Sequence, residues 1–184
     1  MSEEQQPAGQ PPTPEPDSKD WTWTLHRPCP ECGFDPRDVQ PIAIPALVRD
    51  AASRWPAVLA RVDASDRPEP AVWSPLEYAC HIRDVLRLFG ERAELIRREE
   101  GPTFANWDQD ETALAERYWE EQPAVVAEQI RAATGPAAAA FEGVAPEEWE
   151  RRGTRSNGSQ FTLATLGTYV LHDLYHHVWD VRER

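Results

Sequence analysis

Three histidines crowd into six positions of LHDLYHHVWD, residues 171–180, in a chain that holds only five. Imidazoles bind divalent metals and move protons near neutral pH, so the spacing of these rings decides which of them serve one centre. Residues four apart on an α-helix lie about 40° apart around its axis, and residues five apart about 140°. His172 and His176 therefore point at one object, and His177 points elsewhere. A fourth ring, His81 in VWSPLEYACHIRD, sits at the edge of the apolar helical stripe Tyr78, Ile82, Val85, Phe89 and Ile96. That edge suits an inward-reaching ligand. A trio of His81, His172 and His176 with no fourth protein ligand leaves positions open on a divalent cation, as catalytic sites do. Three imidazoles accept zinc, nickel, iron or copper. His177 is then a packing or supporting residue, with Asp173 four positions before it as its partner. Glu77 has a structural task as a helix cap and, four residues before His81, a second reading as the group that orients that imidazole.

Two further groups of residues have chemistry. CPECG, residues 29–33, has the form of a zinc-ribbon knuckle, in which two thiolates grip one tetrahedral metal and a glycine relieves the turn. One knuckle supplies two ligands of four. Cys80 and the histidines, His26 among them, are what the chain offers for the rest. Cys29 and Cys32 thus have three readings: a second, structural zinc, a redox pair, or unligated thiols. Arg151, Arg152 and Arg155 precede the histidine helix in a loop rich in Gly, Ser and Asn. Their planar forks either grip a substrate carboxylate or thiol-borne anion, or are solvated. Asp108 and Asp110 read as loop acids, and Trp107 as a pocket wall.

Four helical segments must position these groups, and no pair of segments alternates as a sheet does. The expected fold is an all-α bundle. The first helix is expected from Pro45 to Val62. The second starts at the capping signal Ser74-Pro75-Leu76-Glu77 and runs to about Arg98. A third, Pro123 to Phe141, carries Gly135 and Pro136, which predict a kink or break. The last opens after Thr162 as N-cap and runs to about Val181. Its stripe Leu163, Leu166, Val170, Leu174, Val178 and Val181 lies opposite His172 and His176, so this helix must bury both faces, one of them against a neighbour helix or a second subunit of a homodimer. Residues 1–20 hold five of the 18 prolines and a net charge of −4 by count, which predicts a disordered tail. A single domain over 21–184 follows, its segment 21–43 carrying the cysteines. The net charge of −13 repels phosphate backbones and argues against nucleic acid. No apolar run reaches the roughly 18 residues of a membrane span, and three cysteines are too few for a disulfide scaffold. A cytoplasmic protein is expected.

VWSPLEYACHIRD, with Trp73, Ser74, Glu77 and His81, resembles the second-helix motif of the DinB/YfiT-like superfamily, and HDLYHH resembles its terminal H-x-x-x-H. The resemblance extends from about residue 44 to 184. It implies an up-down-down-up four-helix bundle whose metal ligands, carried over, are His81, His172 and His176. The more usual terminal pattern uses the second histidine of the pair and continues Arg-Gly; here His176, the first, has the right spacing and Val178 follows. The family further implies metal-dependent thiol transferases and isomerases that use a small thiol of the bacillithiol or mycothiol kind; a divalent metal with open positions is expected to activate such a thiol, or water, in a transferase or hydrolase reaction. The competing expectation is a non-catalytic protein in which the histidines only staple helices.

Overall fold

A computed structural model describes residues 11, 12, 14 and 19–183. Most of the expected tail, residues 1–20, lies outside the described residues. The body is a helical bundle built on α1 (Ile44–Ala52), α2 (Trp55–Leu59), α3 (Pro75–Arg98), α4 (Gln109–Ala115), α5 (Pro123–Ala139) and α6 (Leu163–Glu183). Around the core, α3 packs against α5 and α6, and α1 packs against the same two helices from the other side.

The long α3 begins where its cap signal stands. Ser74 Oγ accepts from the Glu77 amide at 3.2 Å, and Glu77 Oε2 accepts from the Ser74 amide at 2.8 Å. Thr162 caps α6 in the same reciprocal manner, its Oγ1 accepting from Thr165 N at 3.1 Å while Thr165 Oγ1 accepts from Thr162 N at 2.8 Å. Both faces of α6 are buried: the apolar stripe from Leu163 to Val181 on one side, and His172, His176 and Asp180 on the other.

Two expectations about the helices are corrected. The first helix is broken, because Pro56 has no N–H for the Ala52 carbonyl and its ring crowds that carbonyl. The chain stops at Ala52 and restarts at Trp55. The third helix, in contrast, runs unbroken through Gly135 and Pro136. Tertiary packing holds it there: Ala133, Ala137 and Ala138 are buried, and α3 approaches so closely that a Cβ on Gly90 would meet Ala137 Cα at 3.1 Å.

The all-α expectation is also corrected, in that the two long connections meet in a small three-stranded sheet. β1 (Thr103–Phe104) lies parallel to β2 (Arg152–Arg155), which pairs antiparallel with β3 (Gln160–Thr162). Strands of two to four residues are too short to show a period of two. The turn was legible, however: Ser156-Asn157-Gly158, with Gly158 at φ +94°, is a three-residue hairpin loop closed by a glycine in the left-handed region. Gly153 is there for a different reason, since a Cβ at that position would lie 2.8 Å from Ile96 Cγ1 and from Phe104 Cε1.

Ahead of the bundle, the chain lies along α6. Asp20 Oδ1 accepts from Thr22 N at 3.0 Å and caps a short 3₁₀ turn, Trp21–Leu25. The knuckle follows, with Gly33 N donating to Cys29 O at 3.0 Å, Cys29 N donating to Phe34 O at 2.8 Å, and Gly33 at φ +74°. That positive φ is the conformation for which glycine is needed.

Candidate functional site

Two adjacent clusters of potential metal ligands occupy one side of α6, and they divide the expected residues differently from the expected trio. In the first, the ligand atoms of Cys29, Cys32, His172 and His176 all lie within 4.8 Å of one another. In the second, the same holds for His81, Asp173 and His177. His81 is thus grouped with the helix pair one residue further on. The physical reason is rotation of α6 in the bundle: its apolar stripe is turned to the core, which leaves Asp173 and His177, another i,i+4 pair, facing α3.

The second cluster is best read atom by atom. His81 is 1 % exposed, and neither ring nitrogen has a hydrogen-bond partner among the described residues. Its Nε2 stands 3.6 Å from Asp173 Oδ2. That is too long for a hydrogen bond and suits two donors on one small cation. Asp173 Oδ1 is 3.1 Å from His177 Nε2, and His177 Nδ1 is 2.9 Å from Asp180 Oδ2. Without a cation both ring nitrogens donate, Nε2–H to Asp173 and Nδ1–H to Asp180; a metal that displaced the Nε2 proton would leave Nδ1–H on Asp180, the carboxylate–histidine arrangement that supports metal-binding imidazoles. Burial works against charge on His177, but its hydrogen bonds to Asp173 and Asp180 push its pKa up to about 9. Burial likewise opposes charge on Asp173, yet His177 and His81 hold its carboxyl far below the usual range. Trp107 stacks on His81, ring centroids 5.3 Å apart and 7° from parallel, and anchors its own N–H on Thr112 Oγ1 at 2.7 Å.

The first cluster is drier and softer. Cys29 Sγ is 3.7 Å from His176 Nδ1. The opposite nitrogen of that ring, Nε2, faces Glu31 at 3.4 Å and Asp180 at 3.7 Å. His172 Nε2 is buried with no hydrogen-bond partner among the described residues. Burial brings His172 down to about 4 and lowers His176 too, so both rings are neutral and have lone pairs to give. Burial also pushes the Cys32 thiol up to about 12.

Both clusters border a cavity of about 270 Å³, whose walls include Trp21, Trp73, Tyr78 and Tyr169 and whose carboxylates are Glu31, Asp110, Asp173 and Asp180, against the ammonium of Lys19. Arg151, Arg152 and Arg155 are not among its lining residues. Arg151 instead donates to the Ile96 and Glu99 carbonyls at 2.9 and 2.8 Å, Arg152 is exposed, and Arg155 holds its own hairpin through Asn157 and Ser159. Asp108 caps α4, accepting from Asp110 N and Glu111 N. His26 is exposed, and Cys80 is buried away from both clusters, its thiol pushed up to about 12 by burial.

Glu77 points away from His81. Its carboxylate takes Ser74 N and Oγ and the guanidinium of Arg67, whose Nε donates at 2.8 Å. With Glu77 1 % exposed, breaking this pair strands a mostly buried guanidinium. Glu77→Ala is therefore expected to cost on the order of 3 kcal/mol in urea unfolding and to leave metal content unchanged. A loss of metal without loss of stability would restore the orienting role.

The structure adds Asp173 and Asp180 to the candidate ligand and support residues named from the sequence. The signal was present, because Asp173 precedes His177 by four residues and Asp180 follows His176 by four.

The site geometry stands on a recognisable frame. The model of the DinB superfamily matches residues 47–181. The chain belongs to the DinB superfamily. Among solved structures, this DinB chain is similar to YfiT from Bacillus subtilis, described as a probable metal-dependent hydrolase with an unusual four-helix bundle topology. The TM-score is 0.69 at 15 % identity, over 82 % of this chain and 93 % of that one. At that identity the likeness concerns the fold. No curated protein matches the sequence. The DinB match contains His81, His172, Asp173, His176 and His177 but not Cys29 or Cys32, which precede it.

Proposed function

We propose that this DinB protein is a metal-dependent hydrolase whose cation is held by His81, Asp173 and His177 at the floor of the aromatic cavity, on a bundle wound up-down-down-up. The observation that carries the reading is His81: a buried imidazole whose two nitrogens have no hydrogen-bond partner among the described residues, 3.6 Å from a carboxylate that itself meets His177. Leaving such a group unsatisfied in the interior costs about 1–3 kcal/mol, and a cation on Nε2 removes much of that cost. A divalent metal bound there supplies Lewis-acid activation of a nucleophile at neutral pH.

The chain's own residues do the rest. Asp180 fixes the His177 ring, Trp107 fixes the plane of His81, and Trp21, Trp73 and Tyr78 narrow the approach and exclude bulk water. Three protein ligands leave room for substrate. The carboxylates of the cavity select against anions, and none of the three arginines lines it, although Arg155 meets the wall residue Tyr169, so a neutral or cationic substrate attacked by water fits better than an anionic thiol. Among the described residues no helix is long and apolar enough to cross a membrane, and none of the three cysteines is in a disulfide.

The test uses protein purified without a histidine tag, stripped with chelator and reloaded with zinc, nickel or iron(II), then screened against ester, amide and thiol-transfer substrates. Hydrolysis that chelation abolishes and reloading restores is expected, and it should be missing in His81→Ala and Asp173→Ala. If both variants bind metal as tightly as the parent chain, the centre is elsewhere. Thiol transfer without hydrolysis would overturn water as the nucleophile.

A further inference from the structure

The knuckle lacks two ligands in the sequence, and the fold supplies them. We infer that Cys29, Cys32, His172 and His176 form a second metal site, a closed Cys2His2 centre of the zinc class, which fastens the segment ahead of the DinB-matched region onto α6. Four lines of observation converge on it. The four donor atoms fall within 4.8 Å of one another, and the one separation resolved between unlike donors, 3.7 Å from Cys29 Sγ to His176 Nδ1, is close to the edge of a tetrahedron with bonds of about 2.3 Å to sulfur and 2.0 Å to nitrogen. His172 offers a buried Nε2 that has no hydrogen-bond partner among the described residues. The backbone of the knuckle is formed, with Gly33 in the left-handed region and Cys29 bonded through its backbone to Gly33 and Phe34. Finally, His176 presents Nε2 to Glu31 and Asp180, the carboxylate support expected behind a ligating imidazole.

The donor set names the metal class. Two thiolates and two imidazoles with four protein ligands close a tetrahedron, which suits zinc and leaves no position for substrate. This centre is therefore structural, whereas the His81, Asp173 and His177 centre has only three ligands. Its effect on function follows from the order of residues along α6. Positions 172 and 176 hold the N-terminal segment, and the neighbouring positions 173 and 177 face the reaction site, so one turn of helix is shared. The fastened segment brings Trp21, whose ring lies 5.6 Å from His172 and 5.2 Å from His176, to the cavity wall. A redox role for the pair fits less well, because both sulfurs already face imidazoles across a ligand-sized gap.

Cobalt(II) substitution tests this directly. The reloaded parent protein is expected to show an intense thiolate-to-cobalt charge-transfer band in the near ultraviolet and the visible bands of a tetrahedral ion. Cys29→Ser/Cys32→Ser should lose the thiolate band and one equivalent of metal per chain by elemental analysis. His81→Ala should keep both signals whether or not the proposed reaction centre is real, which separates the two ideas. Should the double variant fold poorly, the parent chain alone still decides: alkylation of Cys29 and Cys32, followed by mass spectrometry, should be at least tenfold slower with metal than after chelation. Reloaded protein without a thiolate band, unchanged metal content in the double variant, or alkylation indifferent to chelation would each overturn the site.

Discussion

His177→Ala is expected to empty the three-ligand centre and abolish hydrolysis, while His176→Ala leaves that centre loaded and loses instead the thiolate-bound metal. The two rings are neighbours in sequence and differ by about 100° around α6. His177 Nε2 meets Asp173, and Asp173 faces His81; His176 Nδ1 meets Cys29. Removing an outer partner of a metal-bound histidine commonly weakens affinity about 10–100-fold, so removing a ligand itself should exceed that. Titration of zinc or nickel into both variants, with metal content and the cobalt spectrum followed in parallel, reads the result. Loss of the His81-linked metal from His176→Ala but not from His177→Ala would mean that α6 is rotated by one residue from its place here. Both variants should remain helical, because the bundle core stands apart from either cation.

Trp55→Ala is expected to be the most damaging change in that core. The side chain is fully buried at the point where α2 restarts, and truncating a buried tryptophan costs about 3–5 kcal/mol through lost transfer energy and the cavity left behind. For a chain of this size that corresponds to a Tm lower by roughly 6–20 °C. Trp55→Phe should cost far less, because the indole N–H has no hydrogen-bond partner among the described residues, and deleting an unsatisfied donor relieves part of the loss. Urea unfolding with an unchanged m-value decides between them. Equal losses in the two variants would show that the N–H has a partner in solution.

Much of this architecture was legible because local chemistry decides it. Ser74 and Glu77 fix the start of α3 through groups three residues apart, and Thr162 does the same for α6. The four-residue spacing of His172 and His176 guarantees that the two rings share a face, and C-P-x-C-G dictates a turn that presents two sulfurs together. Other local signals pointed the wrong way, since Pro56 breaks its helix as a proline should whereas Pro136 does not. The difference lies outside the local sequence, in the close contact of α5 with α3.

The partnering of the histidines was of this second kind. Along α6, positions 172 and 176 and positions 173 and 177 are equally good i,i+4 pairs, and nothing in their spacing says which pair will meet His81. That choice depends on the angle at which the helix settles when its stripe from Leu163 to Val181 is buried, a sum over core contacts made chiefly with α1 and α3. The settled angle hands Asp173 and His177 to His81 and leaves His172 and His176 for two cysteines about 140 residues earlier in the chain. Helix periodicity reports which residues share a face, whereas only the packed bundle determines what each face meets.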